Sequence, residues 1–99
     1  AFFAEQALKL NPESPSVLDT YGWILARTGE PGKGLSSLKK AISKSPDAAE
    51  IHWHLAYALN ASGDKARARQ ELKVLLDRKV SFVGEEQARQ LFQQLTATH

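Results

Sequence analysis

Three histidines, His52, His54 and His99, are the side chains best suited to hold a metal ion or relay a proton. His52 and His54 stand two positions apart, about 200° around a helix, so they cannot both face one ion. A zinc-binding helix uses an i, i+4 pair instead. The stretch Gly29-Glu30-Pro31-Gly32-Lys33-Gly34 is rich in glycine. It lacks the preceding strand and the Lys-Ser/Thr ending of a phosphate-binding loop, and reads as a helix–helix turn. The serines are scattered, and no Gly-x-Ser-x-Gly elbow is present. Cysteine is absent, which removes thiolate chemistry and disulfides. Glu85 and Glu86 suit the start of a helix, where the backbone dipole favours negative charge. A non-catalytic protein with no cofactor and no metal is expected.

The aromatic residues are more suggestive. Trp23 and Tyr57 are 34 positions apart, and Trp53 precedes Tyr57 by one helical turn. Three such rings on one surface have the composition of a binding hot spot, while the competing reading is that they pack between helices. Basic residues cluster at Lys33, Lys39, Lys40 and Lys44, and again at Lys65, Arg67, Arg69, Lys73, Arg78 and Lys79. Yet 13 Lys and Arg against 11 Asp and Glu leave a net charge of only +2. Bulk charge therefore drives no nucleic-acid binding, and no specific nucleic acid is expected. No charge-free run approaches the ~20 apolar residues that span a bilayer, so no membrane insertion is expected. Hydrophobic residues make up 42% of the chain, enough for a packed domain.

The elements that must position these residues emerge when the chain is compared with itself. An offset of 34 pairs Pro12 with Pro46, Gly29 with Gly63, Leu25 with Leu59, and Leu38 with Leu72. Each unit reads as two helices. Val17, Leu18, Tyr21, Ile24 and Leu25 form one stripe, ended by Gly29 in a left-handed C′ position. Leu35, Leu38, Ala41 and Ile42 form the next, opened by Pro31 and stopped by Pro46. Ile51, Leu55, Ala58 and Leu59 repeat the first, and Ala68, Leu72, Leu75 and Leu76 repeat the second. Asp64 is placed to cap between them. Phe3, Ala4, Ala7 and Leu8 look like the second helix of a preceding unit. Ala88, Leu91, Phe92 and Leu95 stripe a last helix whose outer face carries Glu85, Glu86, Arg89, Gln90, Gln93 and Gln94. Six helices and no strands are expected.

These slots resemble the tetratricopeptide repeat, whose first helix follows W-x2-L-G-x2-Y. Leu18-x2-Tyr21-Gly22-x2-Leu25 and His52-x2-Leu55-Ala56-x2-Leu59 occupy that pattern. Gly34-x3-Leu38-x2-Ala41-x4-Pro46 and Ala68-x3-Leu72-x2-Leu75-x4-Val80 occupy the second-helix pattern. The resemblance covers about residues 1–80 and implies an all-α, right-handed superhelical stack of hairpins with a C-terminal capping helix. It divides the chain into residues 1–14, a second helix; 15–48 and 49–82, two repeats; and 83–99, the cap. It starts in mid-repeat, so a C-terminal piece of a longer array is expected. His52 departs from the family's large apolar residue, and the turn DRKVSFVGEE is longer than its counterpart.

First helices line the concave groove in this family. The resemblance thus places Asp19, Thr20, Trp23, Arg27, Trp53, His54, Tyr57 and Asn60 there. It implies a protein or peptide ligand held in the groove. The Lys/Asn/Arg clamp of chaperone-binding members is absent, because Asp19, Trp23, Trp53 and His54 stand where it would be. The second helices form the convex wall, so the lysines and arginines read as a solvated face. The run around Leu18-Asp19-Thr20-Tyr21-Gly22-Trp23-Ile24-Leu25 is similar to the C-terminal repeats of bacterial lipoproteins that accompany PEP-CTERM sorting and exopolysaccharide systems. That likeness implies a cell-envelope setting, and otherwise a cytoplasmic one. It leaves two alternatives open: a structural cap that self-associates through the apolar end at Phe2 and Phe3, or a groove for polysaccharide.

Overall fold

A computed structural model describes residues 2–97, with Phe2 described only by its place in a helix. Ala1, Thr98 and His99 lie outside the described residues, as does the side chain of Phe2. The expectations for His99 and for an apolar end at Phe2 fall on these undescribed parts. Six helices follow one another: α1 (Phe2–Leu10), α2 (Pro15–Arg27), α3 (Pro31–Lys44), α4 (Ala49–Ala61), α5 (Lys65–Asp77) and α6 (Glu85–Ala97). The described residues contain no strand, and none of their helices is long and apolar enough to cross a membrane.

Local chemistry sets most of the boundaries. The Ser14 hydroxyl accepts from the Val17 N–H at 3.3 Å, and Pro15 follows in the first turn of α2. The Asp64 carboxylate accepts from the Arg67 N–H at 3.2 Å and caps α5, as the sequence predicts. Gly29 and Gly63 have φ of +96° and +95°, the left-handed conformation in which glycine suffers no Cβ clash. The same closing bond recurs 34 residues on. Glu30 N–H donates to Leu25 carbonyl at 3.0 Å, and Asp64 N–H donates to Leu59 carbonyl at 2.9 Å.

The helices pack as successive hairpins, α2 on α3 and α4 on α5, with α4 also seated on α2 and α3. In the first hairpin the crossing is backbone on backbone. A Cβ added to Gly34 would lie 2.6 Å from the Gly22 carbonyl oxygen, and one on Gly22 would lie 2.7 Å from Leu38 Cγ. The Ser37 hydroxyl ties the pair, donating to the Leu18 carbonyl at 2.7 Å. At the equivalent slots of the second hairpin, Ala56 and Ala68 are fully buried. Leu38, Leu59 and Leu72 are the largest fully buried side chains and link the hairpins into one core. Helix α6 packs on α5 and buries Ala88 and Leu95.

Phe3 is 85% exposed, as expected of an apolar end, while the stripe of α1 that turns inward runs through Ala4, Ala7 and Leu8. Ala4 is buried and the next two are half-buried, so α1 turns this edge toward α2.

Candidate functional site

The first helices of the two hairpins, α2 and α4, meet α6 around an open groove of about 640 Å³. That is within the range of roughly 300–1,000 Å³ that small ligands and peptide side chains occupy. One wall consists of Trp23 and Arg27 from α2, and of Glu50, Trp53, His54, Tyr57 and Asn60 from α4. On α4 these residues recur at steps of one, three and four, a single helical stripe. The other wall comes from the segment leading into α6 and from α6 itself: Val83, Gly84, Gln87, Gln90, Leu91 and Gln94.

The aromatic wall is an interlocked set of rings. Trp23 meets Tyr57 edge-on at 4.9 Å between centroids, and Trp53 at 6.0 Å with the planes tilted by 55°. Trp53 meets Tyr57 edge-on at 5.9 Å. The His54 ring stacks on Trp23 at 4.0 Å, only 17° from parallel. The Arg27 guanidinium carbon lies 5.1 Å from the centre of the Trp23 ring, a cation–π contact at the end of the groove away from Glu50. Such edge-to-face pairs add about 0.5–1.5 kcal/mol each beyond the area they bury.

Six of the eight residues placed in the groove by sequence line it, and two do not. Asp19 lies behind His54 rather than on the surface of the groove. Its carboxylate oxygen stands 2.6 Å from His54 Nδ1, and this partner draws it toward the α2–α4 junction. Thr20 is exposed but falls outside the lining, one turn before Trp23. Trp53 and His54 touch the groove only by an edge, since each is 5% exposed. Most of the Trp53 ring is packed against its neighbours. Gly84, at φ +94°, lies so close that an added Cβ would stand 2.3 Å from Trp53 Nε1. The indole is thus the seat on which the segment before α6 rests.

Sequence reasoning missed Glu50 and the whole α6 wall. Glu50 was legible, four residues before His54 on the same stripe. Gln90 and Gln94, read as part of a polar outer face, are exposed and also border the groove together with Gln87. His52 and His54 face different ways, as their spacing requires. His52 Nε2 bonds the Pro46 carbonyl at 2.6 Å, and its Nδ1 stands 3.6 Å from Glu71.

The basic convex wall is largely engaged. Lys44 and Lys40 converge on Glu13 at 2.5 and 2.9 Å, and hold its carboxyl well down, from an ordinary 4.5 to about 2. Lys73 pairs with Asp77, Lys65 with Asn60, and Arg78 donates to the Asp47 carbonyl. These contacts leave a mixed rather than a uniformly cationic face.

The comparisons agree with this architecture. The profile of the tetratricopeptide repeat matches residues 25–81, more than half of the chain. A TPR repeat-containing protein of Pseudomonas aeruginosa is 40% identical over 50 residues, which make up 50% of this chain and 8% of that protein's length. A profile match over that span, on paired helices closed by the same glycine turn at an interval of 34 residues, makes the chain a member of the tetratricopeptide repeat family.

Proposed function

We propose that this chain is a non-catalytic interaction segment that binds a peptide or an extended protein segment in the groove between α2, α4 and α6. Repeats of this family generally mediate protein–protein interaction. The observation that carries the proposal is the pairing of walls. Rings on one side offer apolar contact at little entropic cost, and the Gln87, Gln90 and Gln94 amides on the other offer hydrogen bonds to a peptide backbone. Arg27 and Asn60 at one end and Glu50 at the other give the groove opposite polarity along its length. Ten residues of α4 separate Glu50 from Asn60, about 15 Å of helix. An extended segment of four or five residues matches that length.

The layout proposed with this reading is two complete repeats, 15–48 and 49–82, a preceding second helix, and a closing helix. The likeness of the Leu18–Leu25 segment to bacterial envelope lipoproteins supports an envelope setting for the longer protein. The competing proposal is a structural cap whose binding work is done elsewhere, and the burial of Trp53 under Gly84 favours it.

Selection of displayed random peptides on the wild-type chain separates the two. Enriched peptides that lose binding to a folded Tyr57→Ala, Gln90→Ala variant support the groove. No enrichment, or peptides that bind both forms equally, overturns it and leaves the cap. Circular dichroism of the variant guards against unfolding.

A further inference from the structure

We propose that His54 and Glu50 form a site for one divalent transition-metal ion of the zinc class in the groove, with Asp19 holding the imidazole in its ligating form. The inference rests on three side chains that the fold brings together from α2 and α4. Their donor atoms lie within 4.8 Å of one another.

The roles within the cluster differ. Asp19 Oδ1 stands 2.6 Å from His54 Nδ1, and an ionised carboxylate only accepts. The proton is therefore placed on Nδ1, which leaves the lone pair on Nε2. This is the tautomer a metal-binding histidine needs, and a carboxylate on its far nitrogen is the usual partner. Asp19 does not border the groove, whereas His54 and Glu50 do. Nε2 is the nitrogen that faces Glu50, at 3.9 Å from Oε2. That separation is too long for a hydrogen bond. Two ligands about 2.1 Å from one tetrahedral ion stand about 3.4 Å apart. Rotation of Glu50 alone, which is half exposed, closes the difference.

The imidazole is also held before any ion arrives. Its side chain is 6% exposed, it stacks on Trp23 at 4.0 Å, and Asp19 fixes the ring's rotation. Glu50 and His54 stand at i and i+4, the spacing that brings two ligands to one side of a helix. The remaining coordination positions open into the groove, to water or to a group of a bound segment. The proposal does not need the peptide reading, since the ion is tested without any peptide. The rival account of the same contacts is an ion triad in which a protonated His54 bridges Asp19 and Glu50 with no metal.

Calorimetric titration of the chain with zinc chloride tests it, together with ¹⁵N spectra of the imidazoles. One ion per chain is expected, with the His54 Nε2 resonance shifting and Nδ1 keeping its proton. Glu50→Gln should weaken binding at least about tenfold, and Asp19→Asn about ten- to a hundredfold. Glu50→His should tighten it, because imidazole suits this class of ion better than carboxylate. His52→Gln should leave it unchanged, since that histidine pairs with Glu71 away from the groove. Absence of one-to-one binding, or binding indifferent to both Glu50 substitutions, overturns the proposal in favour of the ion triad. Glu50 lies at the helix surface, so its variants remain informative even if Asp19→Asn disturbs the fold.

Discussion

The two walls of the groove are built by opposite means. On the α2–α4 side the rings of Trp23, Trp53, His54 and Tyr57 hold one another, and Trp53 and His54 are buried. On the α6 side the three glutamines are exposed, and Gln90 makes only a long 3.4 Å bond to Glu86. One wall is shaped before a ligand arrives, and the other can rotate its amides to suit it. Preformed rings limit the ordering cost of binding, while mobile amides accept more than one backbone register. The walls meet where Gly84 lies on Trp53.

The strongest way to break this contrast is to remove the joint. Trp53→Ala deletes a buried ring and should cost about 3–5 kcal/mol, read as a fall in urea midpoint. A cost under about 1 kcal/mol would mean that the aromatic wall is surface rather than core. Gly84→Val attacks the same joint from the other side. A side chain there meets both a positive φ and the indole, for an expected loss of about 2–4 kcal/mol, measured by the same denaturation. Neither variant is a clean probe of binding, because each loosens the seat of α6.

Next in size is Asp19→Ala, which strands the buried His54 Nδ1 and should cost about 1–3 kcal/mol by thermal and urea unfolding. The opposite wall should be nearly silent. Gln87→Ala, Gln90→Ala and Gln94→Ala should each change stability by less than about 0.5 kcal/mol, while together weakening any peptide selected on the groove. A large stability loss there would erase the distinction between the walls.

The smallest effect lies outside both. Glu13 has its folded-state pKa lowered to about 2 by Lys44 and Lys40, so its stabilising share is complete above its ordinary 4.5 and fades as pH falls toward about 2. The melting difference between wild type and Glu13→Gln should therefore be present at neutral pH and vanish near pH 2. The pair is exposed, so added salt should shrink that difference too.

What could be read from the sequence divides along the same line. Gly29, Gly63, Pro31 and Asp64 act within a few residues of themselves, and their turns and caps appear where the 34-residue offset puts them. The ring neighbours Trp23 and Tyr57 follow from the same offset. The burial of Trp53 does not, because it depends on Gly84, 31 residues on and beyond a turn of unmatched length. Asp19 and His54 are 35 apart, one step off the repeat, so only the diagonal approach of α2 and α4 pairs them. The α6 glutamines were legible as polar and exposed, but whether that face met solvent or groove turned on the rotation of one helix. That rotation is fixed by Ala88, Leu95 and the Gly84 contact rather than by the glutamines themselves.

The placement of the two tryptophans carries a practical consequence. Trp53 is sealed under the segment before α6, and Trp23 is half open to the groove with an imidazole laid on its face. The molecule therefore contains two intrinsic fluorophores with separate duties. Emission from Trp53 reports whether the last helix is docked, and emission from Trp23 reports what enters the groove. Replacing Trp23 with phenylalanine leaves Trp53 as a single-channel sensor of that docking.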